Sequence, residues 1–506
     1  MSADMTISSS NAVHRFVISP ATADAHAVAV IDAASSATFT RSAVLEGVQA
    51  AANTLIGLGV QPEQRVMLCC ADTVAFLHWF WGAMWIGAVP VPVSTMLNEA
   101  DYRFLLDDSR AVGFVYSPLF AETAGAATEG QRFLKWSADD ADASVLASAD
   151  GAPEPYASSS DDVAFWLYTS GTTGFPKGAM HRHIDLGFCT DVYARDILNM
   201  GPGDVVYSVA KLFFAYGLGN GGYFPADTGA PVVLNPGRPI PAEVAAHVRE
   251  HRPTLFFGVP TFFAALLAAE LPADTFASVR QAVSAGEPLP ADIHRRFLEK
   301  FGVEILDGIG TTEIAHIFIS NRPGESVGGS SGTAVGGYEI SLRDEDGSEV
   351  ADGKPGALYI AGESVTIGYW NRTDRNRDAL MGRFMATGDT YMKNPDGTYS
   401  CLGRSDDMLK VGGIWVSPAE VEACVMEMPE VLHAAVVGAE DAEGLVKPKA
   451  FVVASDGADK SGLPGAVQAH VKSKLAPFKY PRWVELVDEL PQTATGKIKR
   501  YMLRDE

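Results

Sequence analysis

The sequence predicts an α/β fold in two parts: a large N-terminal domain of two helix-covered, mostly parallel sheets plus a barrel-like β section, and a small C-terminal α+β domain. Strand and helix signals alternate as far as Ser320, the order that builds parallel sheets covered by helices. After Asn321 the pattern changes to short strands separated by turns such as Asp344-Glu345-Asp346-Gly347. Beyond the charged turn Gly403–Asp407, a last stretch carries its own helix and strand signals. At 506 residues the chain also exceeds what a single core supports.

Taken in order, Arg41–Gly59 is an Ala- and Leu-rich amphipathic helix stopped by glycine, and Arg65–Cys70 is a short apolar strand. Val74–Val93 is almost wholly apolar and about as long as a membrane span. Gly82, Gly87, Pro90 and Pro92 interrupt it, so it reads as a buried helix ending near Gly87 and a short buried strand. Ala111–Tyr116 and Asp162–Tyr168 are further strands, and the Ala-, Asp- and Gly-rich Ala121–Pro155 between them reads as exposed surface. Strand–helix pairs follow at Pro231–Leu234 with Ala242–His251, Leu255–Phe257 with Thr261–Glu270, and Val279–Ser284 with Ala291–Phe301. Tyr338–Arg343 and Ala357–Ala361 are strands of the barrel-like section. In the C-terminal part, Pro418–Met428 and Leu463–Leu475 read as helices, and Ala434–Gly438 and Lys449–Val453 as strands.

Lys plus Arg number 39 against 62 Asp plus Glu, a formal charge of −23. Such a field opposes nucleic acid and anionic membranes, so neither is expected as a partner and an anionic ligand needs a local site. The five cysteines match neither a zinc site nor a disulfide framework. Met1–Asn11 lacks a basic-then-apolar leader, and a reduced, cytoplasmic setting is expected.

The strongest chemical signal is Tyr168-Thr169-Ser170-Gly171-Thr172-Thr173-Gly174-Phe175-Pro176-Lys177-Gly178, directly after a strand. Glycines let backbone N–H groups approach phosphate oxygens, hydroxyls add donors, and Lys177 supplies charge. It is not a Walker A loop, because Lys177 is followed by Gly178 where that motif needs Ser or Thr. Two other matches are discounted. Gly217–Gly222 fits G-x-G-x-x-G, but Pro225 interrupts a helix there and no acid follows at the dinucleotide-binding spacing. Gly328–Gly332 fits G-x-S-x-G without the strand and helix a nucleophile elbow needs. His181 and His183 have no third ligand at a known spacing and read as surface or helix start.

The eleven-residue stretch resembles the phosphate loop of the adenylate-forming superfamily, which holds acyl- and aryl-CoA ligases, luciferases and peptide-synthetase adenylation domains. Four further segments resemble that family's motifs in the same order: Gly310-Thr311-Thr312-Glu313, Thr387-Gly388-Asp389, Gly403-Arg404-Ser405-Asp406-Asp407 and Pro491–Lys497. The resemblance implies a nucleotide-binding domain over residues 1–403, a hinge at 404–407 around Asp406, and a mobile domain over 408–506. It implies ATP, Mg²⁺ and coenzyme A as cofactor and cosubstrates. Lys497 would bridge the carboxylate and the α-phosphate, with Thr312 and Glu313 at the reacting centre and Glu313 on Mg²⁺. Thr169, Ser170, Gly171, Thr172, Thr173, Gly174 and Lys177 would take the phosphates, Asp389 the ribose hydroxyls, and Arg404 the ribose or phosphate. Ser284-Ala285-Gly286-Glu287 and Asp307-Gly308-Ile309-Gly310-Thr311 match the adenine site; many relatives carry an aromatic residue where Ile309 stands. Gly412 and Gly413 would line the path of the pantetheine arm.

Lys211–Gly221 and Glu313–Asn321 resemble benzoate–CoA ligases, and their bulky, weakly charged character suits a short flat ring. Ala215, Tyr216, Gly217, Gly286, Gly310, His316 and Ile317 are the acyl-pocket candidates. The expected activity is an ATP-dependent aryl-CoA ligase acting on benzoate. A substituted benzoate, a cinnamate, a short aliphatic acid and a non-catalytic acyl-adenylate binder are the alternatives. No carrier-protein segment follows in the sequence, so coenzyme A is the expected thiol; a homodimer is left open.

Overall fold

The computed structural model describes residues 10–140, 148–169, 176–404, 407–411, 414–441, 445–455, 457–491 and 498–504. Its largest sheet has nine strands. The inner strands Ile305–Gly310, Gln281–Ser284, Leu255–Gly258, Val206–Ser208, Val232–Leu234 and Val28–Asp32 run parallel. Antiparallel strands close both sides: Ile317–Ser320 and Thr333–Ala334 at one edge, Thr38–Thr40 at the other. A second, four-stranded sheet is wholly parallel, in the order Val89–Pro92, Arg65–Cys69, Gly113–Tyr116, Trp136–Asp139.

The helix Arg41–Gly57 begins where the Thr40 hydroxyl accepts from the Ala43 N–H at 3.2 Å, and the chain leaves it through Gly59 at φ +76°. It crosses the almost wholly apolar helix Val74–Trp85 at Gly82, where a Cβ would lie 2.7 Å from that of Ala51. That apolar run is therefore core: Trp81 stacks on Phe16 at 5.4 Å and packs edge-on against Phe80 at 5.0 Å. Gly87 turns the chain at φ +74° into the buried strand Val89–Pro92. Among the described residues no helix is long and apolar enough to cross a membrane.

Two expectations need correction. Ala121–Pro155 is not uniformly exposed: Ala124, Ala127 and Ala138 are buried, and Trp136–Asp139 adds the edge strand of the parallel sheet. Four residues alternating Trp-Ser-Ala-Asp are too short to announce themselves beside a polar stretch. His183 does start a helix, His183–Cys189, but both it and His181 are buried and neither is surface.

The strand Val163–Thr169 returns antiparallel as Lys177–Arg182, and Gly368–Tyr369 pairs on the far side. The later section is an antiparallel five-stranded sheet built on Pro355–Ala361 and Phe384–Lys393. Residues after Leu409 form a separate apolar cluster, in which the helices Pro418–Val425 and Leu463–Lys474 pack on the strands Val431–Glu440 and Val446–Ala454.

Candidate active site

The turn after the strand Ile305–Gly310 holds Glu313, whose side chain is buried. One carboxylate oxygen accepts from the Tyr369 hydroxyl at 2.7 Å and the other from the Thr311 hydroxyl. Both donors are neutral, so the hydrogen bonds fix the carboxylate without cancelling its charge.

The turn itself is held through successive carbonyls. Thr312 O accepts from His181 Nε2 at 2.8 Å, Glu313 O from Thr366 N–H at 2.8 Å, Ile314 O from the Ser364 hydroxyl at 2.8 Å, and Ala315 O from the Tyr223 hydroxyl at 3.2 Å. Four donors from three separate parts of the chain thus fix one short turn, in which Ala315 takes φ +66°.

Thr169 and Lys177 are paired across the hairpin, so the Gly/Thr loop closes between two fixed strand ends. Ser170, Gly171, Thr172, Thr173 and Gly174 lie outside the described residues. Lys177 Nζ sits 4.2 Å above the ring of Tyr369, the phenol that binds Glu313. Burial lowers the Lys177 pKa most, Glu313 opposes it, and the nearby Arg375 and Arg404 lower it further. Lys177, Arg375 and Arg404 therefore repel one another, and an anion near them would be favoured.

Asp389 and Arg404 are cross-strand partners, with Arg404 Nη1 3.1 Å from an Asp389 oxygen and 3.0 Å from Thr387 O. Gly388 between them has φ +77°, and a Cβ there would lie 2.6 Å from Arg404 Nη2. The Asp389 side chain is largely buried, whereas Arg404 is exposed enough to reach a ligand.

Ser284 and Asp307 are register partners on adjacent parallel strands. The Ser284 hydroxyl and one Asp307 oxygen are buried without a partner among the described residues. Burial pushes the Asp307 carboxyl well above the usual range, and the Leu289 and Gly308 N–H groups oppose it. Gly286 turns at φ +99° beside buried Ala285, and Glu287 is half-buried. Gly308 and Gly310 allow a close strand crossing: a Cβ would meet Ile317 at 2.9 Å and His316 O at 2.7 Å. Ile309 is half-buried and pairs with Ile319.

Of the acyl-pocket candidates, Ala215 and Ile317 belong to one core cluster, with Tyr216 and Ile309 packed against it. His316 lies 5.6 Å from the ring of Tyr216, whose hydroxyl donates to Val283 O at 3.1 Å. Gly217 is required by sterics, since a Cβ there would lie 2.0 Å from Lys211 O. Asp406, Gly412, Gly413 and Lys497 lie outside the described residues. Sequence reasoning missed Tyr369, which belongs to no motif, and Asn220, which meets His316 across the core. It saw His181 but read it, with His183, as surface or helix start, whereas His181 is buried before the helix begins.

A buried glutamate on a pinned turn, a lysine beside it at a strand end and a buried aromatic wall are the features of an enzyme that handles a nucleotide and an apolar acid. The chain matches the AMP-binding enzyme family over residues 19–370 and the AMP-binding enzyme C-terminal domain over 420–497, and it belongs to that family. It is 47% identical over 456 residues to the benzoate–CoA ligase of Thauera aromatica, covering 88% of this chain and 86% of the relative. It is 44% identical to the 4-hydroxybenzoate–CoA/benzoate–CoA ligase of Rhodopseudomonas palustris, over 89% and 86% of the two chains. A solved benzoate CoA ligase from Burkholderia xenovorans LB400 superimposes with a TM-score of 0.89 at 42% identity, covering 97% and 99% of the two chains. The anthranilate CoA ligase AuaEII, in complex with anthranoyl-AMP, gives 0.92 at 36% identity over 98% and 96%.

Proposed function

We propose that this protein is an ATP-dependent aryl-CoA ligase, converting benzoate, ATP and coenzyme A into benzoyl-CoA, AMP and diphosphate. The single observation that carries the reading is the junction at Glu313. The same turn that presents its carboxylate beside Lys177 and Tyr369 continues directly into His316 and Ile317 of the aromatic wall. A polyphosphate and a flat acid bound on either side of this turn meet at it.

In the first half-reaction a benzoate oxygen attacks the α-phosphorus of ATP, an O–P bond forms, and the bond to diphosphate breaks. Charge grows on phosphate oxygens in that transition state, so fixed cations and donors lower the barrier. Lys177 and the loop Thr169–Gly174 take the phosphates. Asp389 accepts from the ribose hydroxyls with Arg404 beside it, and the segments at Ser284–Glu287 and Asp307–Thr311 hold the adenine. Lys497 bridges the two reacting groups. Glu313, with Thr312 beside it at the reacting centre, offers hard oxygen donors that fit Mg²⁺, since among the described residues both Glu313 oxygens are hydrogen-bonded to neutral hydroxyls. When bound, the ion offsets negative charge on the phosphates.

In the second half-reaction the coenzyme A thiolate attacks the carbonyl carbon of benzoyl-AMP. A C–S bond forms, the C–O bond to AMP breaks, and the thiol proton passes to solvent. In this proposal the domain after the hinge at Asp406 rotates between the steps, removing Lys497 and bringing Gly412 and Gly413 to the thiol path.

The test is diphosphate release from ATP with benzoate, followed by benzoyl-CoA formation when coenzyme A is added. Purified protein that released no diphosphate with any aryl acid would overturn the proposal. Acetate or octanoate outcompeting benzoate in kcat/KM would overturn the pocket assignment.

A further inference from the structure

His316 is buried among the rings of Tyr193, Tyr216 and Phe224, at 5.0, 5.6 and 4.5 Å between centroids. The position of its proton can be traced outward from the backbone. Tyr216 donates its hydroxyl hydrogen to Val283 O at 3.1 Å, and Ser208 donates its own to Ala210 O at 3.1 Å. A carbonyl only accepts, so each hydroxyl oxygen is left with lone pairs alone. Asn220 hydrogen-bonds the Ser208 oxygen at 3.4 Å. Only the amide nitrogen of Asn220 can donate to it, which fixes the orientation of the amide.

The Asn220 oxygen is then the atom 3.0 Å from His316 Nε2, and it accepts the imidazole proton. A neutral imidazole protonated at Nε2 carries a lone pair at Nδ1. Burial favours that neutral form, pushing the His316 pKa down to about 3. Nδ1 is buried and has no partner among the described residues. The Cδ2–Nε2 edge packs on Gly219, where a Cβ would lie 2.4 Å from Cδ2, so Nδ1 is on the edge turned away from that contact.

We infer that His316 Nδ1 is the acyl pocket's hydrogen-bond acceptor, and that the enzyme is built for benzoates carrying an O–H or N–H donor on the ring. Asn220 is the positioning residue that sets this polarity through the tautomer. The inference rests on the aryl-CoA ligase reading and narrows its substrate class. A buried acceptor left unpaired by one ligand and paired by another of the same shape separates the two strongly. A methyl group matches a hydroxyl in size but cannot donate.

The experiment compares kcat/KM for thioester formation with 2-, 3- and 4-hydroxybenzoate against the three methylbenzoates, with benzoate as the common reference. In the wild-type chain, at least one hydroxy isomer is expected to exceed its methyl counterpart tenfold or more. Asn220→Leu frees the proton to sit on either nitrogen, and should cut that ratio at least fivefold. His316→Phe keeps an aromatic ring and should abolish the preference, giving a second test if Asn220→Leu does not fold. A hydroxy-to-methyl ratio below ten at all three positions, or one unchanged in both variants, would overturn the inference while leaving the ligase reading intact. No turnover of any aryl acid would instead overturn the parent reading, and this inference with it.

Discussion

His181 Nε2 donates to the backbone carbonyl of Thr312 at 2.8 Å, joining residues 131 apart in sequence. The other ring nitrogen faces the buried Asp185 carboxylate at 3.2 Å, and the ring stacks on Phe165 at 5.0 Å. Asp185 in turn accepts from the Arg182 N–H at 3.0 Å, at the start of its helix. Hydrogen bonds thus link the helix start, the imidazole and the Glu313 turn. His181→Leu removes the donor and leaves Thr312 O buried and unpaired, which costs about 1–3 kcal/mol. If that loss falls on turn position, kcat for diphosphate release should drop roughly tenfold or more. His181→Gln, which keeps an N–H, should recover most of the rate. Melting temperatures measured alongside separate a rate effect from unfolding.

Tyr369 links two parts of the site: its hydroxyl donates to Glu313 at 2.7 Å and its ring lies under Lys177 at 4.2 Å. Tyr369→Phe keeps the ring and removes the donor. Hydrogen bonds to charged groups contribute about 1.5–3 kcal/mol. The Mg²⁺ concentration giving half-maximal activity should therefore shift severalfold, with little change in the KM for benzoate. A Mg²⁺ titration of initial rates checks this.

Much of this architecture was legible because local pattern and tertiary role coincide. The helix Arg41–Gly57 has both its cap residue and its stop glycine in sequence, and the apolar run at Val74–Trp85 is punctuated by the residues that end it. Asp389 and Arg404 were each singled out by motif, and the structure sets them on strands in direct register. Tyr369 was invisible for the opposite reason: it lies on a two-residue strand, and its meaning comes from Glu313, 56 residues earlier. His181 reads as polar, yet it is buried, with one hydrogen-bond partner four residues on at Asp185 and the other, Thr312, far away in sequence. Polar residues inside a core carry no periodic signal of their own, so sequence pattern cannot find them.

Gly388 is sterically restricted between Asp389 and Arg404, the residues proposed to meet the ribose. Its φ of +77° strains any other residue, and a Cβ would sit 2.6 Å from Arg404 Nη2. Gly388→Ala should push Arg404 away from Asp389 and raise the KM for ATP several-fold, leaving the KM for the acid nearly unchanged. Steady-state kinetics with each substrate varied in turn measures the split.

Lys497→Ala should remove one cation from the first half-reaction alone. Preorganised charged donors of this kind supply about 3–4 kcal/mol of transition-state stabilisation, so adenylate formation should fall by about two to three orders of magnitude. Thioester formation from supplied benzoyl-AMP should be largely spared. Equal losses in both steps would contradict rotation of the C-terminal domain between them.

Asp72 gives the fold a pH dependence of its own. Its buried side chain accepts from the Leu212 N–H at 3.1 Å, at the head of the aromatic segment, with Lys211 Nζ 3.8 Å away. Burial raises its pKa to about 6, and Lys211 and the Leu212 N–H only partly oppose this. A carboxyl raised in the folded state binds its proton more tightly there than in the unfolded chain. Its stabilising contribution is therefore complete below pH 4, and it is lost as pH rises through about 6. The change amounts to about 3 kcal/mol. Asp72→Asn keeps an acceptor for Leu212 but does not titrate. The difference in unfolding free energy between wild type and variant should shift by that amount against the wild type between pH 4 and 7, and stay flat above. Urea unfolding at several pH values measures it, and a difference independent of pH would show that Asp72 does not titrate in this range.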